Sequence, residues 1–236
     1  MKILSIDSTA VSASCAILSD SKIIARSFVN TSLTHSQTLM PMVEDMLKSA
    51  KTSLKDIDCI AINVGPGSFT GVRIGISAVK GMAFALDIPC IEVSTLECIM
   101  RGVVFPVGHY IVESVMDARC NQVYNAAFEV KDGMITRLTE DRAIKLDELK
   151  EEISAYRLPI VLAGDGAEIS YNFLKDDNKN IIIANEAVRY QSAENTAIIA
   201  KELLKEGKTV TASELQAGYL RMPQAERELK NKQKNN

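Results

Sequence analysis

The chain is short of the residues from which most metal and hydrolytic sites are built. It has two histidines in 236 residues, His35 and His109, which argues against a histidine-rich metal centre. Its five cysteines (Cys15, Cys59, Cys90, Cys98 and Cys120) are odd in number and form no C-x-x-C pair, which argues against a disulfide frame and a zinc knuckle. Cys59 and Cys90 lie inside apolar strand candidates and read as small core residues. No Ser/His/Asp set stands at a recognisable spacing. Strong charge of one sign is missing too: 27 Lys+Arg against 30 Asp+Glu leave a net −3. No general attraction to nucleic acid or anionic membrane follows, so a role on RNA needs a partner's charge. The opening Met1-Lys2-Ile3 carries no signal-peptide pattern, and no apolar segment reads as long enough to cross a bilayer. A cytoplasmic protein without membrane contact is expected.

What is present is a core and one conspicuous turn. Hydrophobic residues make up 47% of the chain, ample for one large or two small domains. Ile57 to Val64 reads as a buried strand, and about four turns of helix-compatible sequence follow up to Asp87. Between them stands Gly65-Pro66-Gly67-Ser68-Phe69-Thr70-Gly71-Val72-Arg73-Ile74-Gly75. Glycines at such a turn allow positive φ and close approach, and the N–H groups of the helix start suit a phosphate or carboxylate. Gly65, Gly67 and Ser68, with Asp7, are the candidates for nucleotide or phosphate binding. The other reading is a tight turn packed on its own sheet. A P-loop is excluded, because Gly71-Val72-Arg73 stands where G-K-[ST] is required. A dinucleotide turn remains an alternative, with Glu92 ending the next strand, although more than fifty residues of meander and helix precede it.

Taken in order, the chain opens with three strands near Ile3–Asp7, Ser12–Leu18 and Ile23–Val29. Thr34 and Gln37 suggest a capping box for a helix that starts near residue 35, with His35 at its entry and a stripe that includes Leu39 and Met42, while Pro41 predicts a kink or a start nearer residue 38. The helix after the glycine turn carries two rows of small residues, Gly71 and Gly75, then Ser77, Gly81 and Ala85. Either the chain's own sheet or a partner helix comes close along them. A strand at Ile88–Val93 and a second capping box, Ser94 with Glu97, complete the unit.

The order then repeats. A strand Tyr110–Met116, a hairpin Val123–Val130 and Met134–Leu138, a helix Asp147–Ala155, a strand Ile160–Ala163, a helix Glu168–Leu174, a strand Ile181–Ala184 and a helix Ala193–Lys205 follow, with Gly207 placed to cap the last. This predicts an α/β chain of two duplicated lobes with mixed sheets and a cleft between them. The lobes run over 1–105 and 106–225, with the 193–206 helix packing back on the first, and 226–236 forms a basic, disordered tail. Asp7 and Asp117 end the first strand of each lobe and either face each other across the cleft or cap the turns that follow. Gly164-Asp165-Gly166 is a weaker phosphate-turn signal.

The duplicated order resembles the actin, sugar-kinase and Hsp70 superfamily, whose lobes are ribonuclease-H-like. Within it the glycine motif resembles the signature of the TsaB (YeaZ) family. Supporting segments are Ile6-Asp7-Ser8-Thr9, His35-Ser36, Val93-Ser94-Thr95-Leu96-Glu97, Asp117-Ala118-Arg119, Tyr219-Leu220-Arg221 and Ala225-Glu226-Arg227. The resemblance implies a role in making N6-threonylcarbamoyladenosine beside the tRNA anticodon, as a scaffold rather than a catalyst. In the catalytic paralogue TsaD, a metal-binding His-x-x-x-His pair falls on positions that are Thr95 and Ile99 here, and neither holds a metal. The resemblance further implies no catalytic residue, cofactor or metal of its own, with ATP and a metal ion belonging to the partners. Those partners are a TsaD-like subunit, a TsaE-like ATPase, a second copy in isolation, and tRNA through the complex alone. The partner interface is expected on the first-lobe helices at Gly71, Gly75, Ser77, Gly81, Ala85, His35, Leu39 and Met42. An independent nucleotide-using enzyme, kinase-like or dinucleotide-binding, is the alternative.

Overall fold

The structure, a computed structural model, describes residues 1–31 and 33–221. The expected tail at 226–236 and the Ala225-Glu226-Arg227 segment lie outside the described residues. The first sheet contains β1 (Lys2–Asp7), β2 (Ala13–Ser19), β3 (Lys22–Val29), β4 (Cys59–Gly65) and β5 (Cys90–Ser94) in the order β3-β2-β1-β4-β5. Helices α1 (His35–Ser49), α2 (Phe69–Leu86) and α3 (Thr95–Arg101) connect its strands and lead out of it. The second sheet contains β6 (His109–Asp117), β7 (Gln122–Lys131), β8 (Met134–Arg137), β10 (Ile160–Ala163) and β11 (Ile181–Ile183), with β9 (Arg142–Lys145) on β7. Helices α4 (Leu146–Ser154), α5 (Ala167–Leu174) and α6 (Ala193–Lys205) belong to this half of the sequence.

Numbered within each lobe, both sheets read 3-2-1-4-5: antiparallel through the first three strands, parallel from the first to the fourth and fifth. The duplication expected from element order is therefore present, as two ribonuclease-H-like lobes. The central strand β1 is sealed on both faces, with Ile3, Leu4 and Ile6 fully buried. Such a strand needs apolar side chains at consecutive positions, which is how Lys2–Asp7 reads. On one face α1 and α2 cover it with Leu39, Met42, Val43, Val72 and Val79. On the other, α6 returns from the far end of the chain and places Ala197, Ile199 and Ala200 against Ile3, Ala61 and Ile91.

Several local expectations need correction. The helix α1 does start at His35, as its entry residue, but it keeps Pro41 inside it instead of starting nearer residue 38, and Thr34 makes no side-chain cap, its hydroxyl lying 3.0 Å from that of Ser36. Pro41 is on the solvent face, so the carbonyl it leaves unbonded, that of Gln37, can turn to water. The strand β9 carries no sequence signal, because four residues beside a charged loop give too short an alternation to read. The 18-residue helix α2 has a mean hydropathy of 1.3, long and apolar enough for a membrane span, contrary to expectation. Its Val72, Ile76, Val79, Met82 and Ala83 pack into the first core, and this accounts for the hydropathy.

The two small-residue rows of α2 have separate fates. A Cβ on Gly71 would sit 2.2 Å from the Ser8 carbonyl oxygen, and one on Gly75 would sit 2.3 Å from Ser8 Oγ. These glycines admit the β1–β2 turn, and Leu39 and Met42 are likewise buried in the core. All four are therefore internal packing residues rather than partner contacts. Ser77, Gly81 and Ala85 face solvent, and a Cβ on Gly81 meets nothing within 4 Å.

In the second lobe a buried carboxyl sits at the middle of β6. Glu113 is fully buried, its Oε2 accepting from Asn125 Nδ2 at 2.6 Å while Oε1 has no partner among the described residues. Asn125 Oδ1 in turn accepts from Arg142 Nε at 3.1 Å and Nη2 at 2.9 Å, and Arg142 pairs with Glu152. Desolvation pushes the Glu113 carboxyl up to about 7, against a lowering from Asn125 and the Arg142 charge.

Two predictions follow from this packing. Gly71→Ala is expected to cost about 1–3 kcal/mol by overpacking against a backbone atom, while Gly81→Ala is expected to gain up to about 1 kcal/mol. Urea titration of both variants checks this, and equal effects would contradict the assignment of the two rows. Because the folded state holds the Glu113 proton more tightly than the unfolded chain, its contribution is complete below pH about 4.5 and is lost as pH rises through about 7. Glu113→Gln should therefore flatten the pH dependence of stability between those values, by an amount on the order of 3 kcal/mol. Chemical denaturation at pH 5 and pH 8 measures it.

Candidate functional site

The glycine turn that launches α2 is occupied by the chain itself. The Ser68 N–H donates to the Thr9 carbonyl at 2.7 Å, and a Cβ on Gly67 would lie 2.3 Å from that same oxygen. Ser68 Oγ accepts from the Gly71 N–H at 3.3 Å, capping α2 from its own N-cap position. Gly65 has φ +123°, and a Cβ there would lie 2.9 Å from the Gly218 carbonyl oxygen. The close approach that the glycines permit is thus taken by the Ser8–Thr9 turn and by Gly218. Of the two readings of Gly65, Gly67 and Ser68, a phosphate cradle or a tight packed turn, these contacts favour the second, while Gly67 and Ser68 also line the cleft described below.

Asp7 lies behind that turn, out of the cleft. Fully buried, its Oδ1 accepts from Thr9 Oγ1 at 2.7 Å and from Asn63 Nδ2 at 2.8 Å. Asn63 Oδ1 accepts from Thr196 Oγ1 at 3.0 Å, and Cys98 Sγ stands 3.4 Å from that hydroxyl. Four elements therefore meet at one polar knot beneath the lobe junction. Desolvation raises the Asp7 carboxyl above its ordinary range, opposed by the bonds from Thr9 and Asn63. Burial likewise pushes the Cys98 thiol up to about 11, which leaves it a protonated, unreactive core group.

The interlobe cleft, about 570 Å³, is lined by Thr9, His35 and Ser68 from the first lobe and by Asp117, Arg119 and Asp165 from the second. Asp117 does not face Asp7. Its Oδ1 accepts from the Arg119 N–H at 2.7 Å, its Oδ2 pairs with Arg119 Nη1 at 3.1 Å, and its own N–H donates to Asp165 Oδ1 at 3.1 Å. Each strand-end aspartate caps the turn that follows it. Arg119, Cys120 and Asn121 form that turn in the left-handed region, with φ between 54° and 65°. Three consecutive non-glycine residues there carry no sequence signal that could have been read. His35 Nε2 sits 2.7 Å from the Ala10 carbonyl oxygen, so this residue, expected at a partner interface, ties α1 to the β1–β2 turn. Among the described residues no group of three or more His, Cys, Asp and Glu side chains is placed to hold a metal ion.

Beyond α6 the chain runs as a strap along the first lobe. Val210 and Cys90 exchange backbone hydrogen bonds, the Gln216 N–H donates to Glu92 Oε1 at 2.8 Å, and the Gly218 N–H donates to the Val64 carbonyl at 2.8 Å. Tyr219 stacks on Phe69 with centroids 4.7 Å apart, and Arg73 Nε donates to its hydroxyl at 2.9 Å. Arg221 Nη1 then reaches the Ala118 carbonyl at 2.7 Å, on the second-lobe side of the cleft. At the entry to α3, Thr95 and Ile99 are both fully buried, Ile99 among Leu96, Met100 and Val103.

Since Asp7 is held more protonated than in the unfolded chain, the stability it contributes is lost as pH rises through its raised folded value. Asp7→Asn keeps an acceptor for Thr9 and Asn63 and removes the charge. A higher melting temperature than the parent at pH 8, and a smaller difference at pH 5, is the expected outcome by calorimetry.

Comparison with known proteins agrees with this architecture. The family model described as TsaD, tRNA N6-adenosine threonylcarbamoyltransferase, matches residues 29–229. The tRNA threonylcarbamoyladenosine biosynthesis protein TsaB of Escherichia coli (strain K12) is 33% identical over 222 residues, covering 94% of this chain and 95% of that protein. Its counterpart in Bacillus subtilis (strain 168) is 29% identical over 230 residues, covering 96% of each. The solved structure of YeaZ from Pseudomonas aeruginosa superimposes with a TM-score of 0.77 at 25% identity, covering 93% of this chain and 99% of that one. By sequence and by fold, then, the chain belongs to the TsaB (YeaZ) family and takes part in tRNA threonylcarbamoyladenosine biosynthesis.

Proposed function

We propose that this chain is a non-catalytic subunit that supports threonylcarbamoyl transfer to N6 of the adenosine beside the tRNA anticodon, by docking on a TsaD-like catalytic subunit. The observation that carries this reading is the state of Thr95 and Ile99. These are the positions at which the resemblance puts the paralogue's metal-binding histidines, and here both are fully buried, one as an aliphatic core residue. The sealing of Asp7 beneath Thr9 and Asn63 points the same way, because a carboxylate that holds metal or phosphates has to reach the cleft. ATP and a metal ion then belong to the partners, including a TsaE-like ATPase, and tRNA is met through the complex in the cytoplasm.

The docking surface is the outer face of α2. Ser77, Gly81 and Ala85 make a shallow row there, and Phe84 beside them is 82% exposed, a large apolar side chain available to a partner helix. Small residues in a row let two helix axes approach closely, which gives the row a use that internal packing does not require. In isolation a second copy uses the same face. The alternative of an independent nucleotide-using enzyme is less well supported, since Arg73 stands where a P-loop has its Ser or Thr, Val72 takes the place of its lysine, and the glycine turn is filled by Thr9.

Reconstitution tests the reading. The catalytic subunit is expected to modify tRNA faster with this chain than without it, and the isolated chain is expected to show no turnover of ATP. Gly81→Trp, which projects into solvent from a folded monomer, should remove the stimulation. Equal modification rates with and without the chain would refute the scaffold role.

A further inference from the structure

Arg73 and Lys80 stand seven residues apart on α2, hence on one face and about 10.5 Å apart along its axis. They flank a groove of about 560 Å³ between α2 and the strap, floored by Ile76 and Leu215 and walled by Tyr219. Both cations are held in place by neutral groups. The Arg73 guanidinium lies 3.8 Å from the centroid of the Phe69 ring and donates through Nε to the Tyr219 hydroxyl. Lys80 Nζ donates to the Ser213 carbonyl at 3.2 Å.

Among the described residues neither cation pairs with a carboxylate, whereas six other arginines do. The contrast is sharp in a chain whose net charge is −3. With Nε engaged, the two terminal Nη groups of Arg73 are left without a protein acceptor among the described residues, which suits a carboxylate. The groove is also continuous with the docking face, since Ser77 belongs to both.

We infer that this groove receives an acidic segment of the protein that docks on α2, its carboxylates meeting Arg73 and Lys80 while its apolar side chains cover Ile76 and Tyr219. The inference rests on the reading of α2 as a docking face and adds the chemistry of what docks. A protein segment fits better than RNA. The floor is aliphatic, and two cations are few for a phosphate backbone, which needs an extended basic stripe. Partner carboxylates against fixed cations set register and orientation along a helix face that small residues alone leave free to slide.

The test is the affinity of the full chain for the catalytic subunit by calorimetry at low and high salt. The probes are the Arg73→Glu/Lys80→Glu variant and, as a milder control of folding, Arg73→Gln/Lys80→Gln. We expect roughly tenfold weaker binding at low salt for the charge-reversed form, an intermediate loss for the Gln form, and a flattened salt dependence in both. Unchanged affinity in both, with Gly81→Trp still abolishing association, would overturn the acidic-segment inference and leave α2 as the docking face. Unchanged affinity in all three variants would overturn both. A loss confined to tRNA retention by the assembled complex, or to self-association of the isolated chain, would also overturn the inference.

Discussion

The structure depends on the contact between the Ser8–Thr9 turn and the glycine face at the start of α2. A backbone carbonyl can approach a helix to within contact of its Cα atoms only where no Cβ intervenes, and Gly67 and Gly71 clear that path at successive points, with Gly75 clearing it for the Ser8 hydroxyl. The Ser68 N–H and Ser8 hydroxyl then fasten the turn, the latter to the Gly71 carbonyl at 2.9 Å. Once that turn is seated, Asp7 is carried behind it, His35 closes over it from α1, and the first-lobe wall of the cleft takes its shape. The glycine motif is thus a lock between neighbouring connections of one sheet. A motif of the same composition on a nucleotide-binding protein would present those surfaces to a ligand instead.

Much of the architecture was legible because it is written in local periodicity. The apolar runs of β1, β4, β6 and β10 announce buried central strands, and the duplicated element order follows from counting them. The Ser94 cap is legible for the same reason: it joins residues three apart, and its Oγ does accept from the Glu97 N–H. The site was harder, because it is made of contacts between residues far apart in sequence. That Gly71 and Gly75 face inward while Gly81 faces solvent depends on the rotation of α2 over the sheet, which four-residue spacing does not fix. Leu39 and Met42 show the same limit, since an amphipathic stripe reveals that a face is covered without revealing what covers it. The pairing of Arg73 with Tyr219, 146 positions later, had no local signal at all.

The two lobes have the same strand order but differ in what lies buried at their centres. In the first, a carboxyl at the end of the central strand is shared among Thr9, Asn63 and, one step away, Thr196 of α6. In the second, the carboxyl sits mid-strand and leads through Asn125 to Arg142 and Glu152 near the surface. Buried polar groups of this kind contribute little net stability but penalise alternative packings, because each misplacement leaves a donor or acceptor unmet. Both knots fix strand positions relative to helices, and neither Asp7 nor Glu113 lines the cleft.

The return of α6 to the first lobe has a consequence for how the molecule is made. Ser5 and Ser14 on the first two strands bond the start of α6, with Ser5 Oγ donating to the Ala193 carbonyl at 2.6 Å and the Ala193 N–H donating to Ser14 Oγ at 2.9 Å. The outer face of the first sheet is therefore covered by residues translated about a hundred positions after its last strand. The second sheet takes one of its covering helices, α3, from the stretch that precedes it, so that helix is already made when β6 and β7 appear, while the first sheet must wait, half bare, for α6. The first sheet is thus completed only after the second has been made, and a truncation anywhere before α6 strands a finished-looking lobe with one apolar face uncovered.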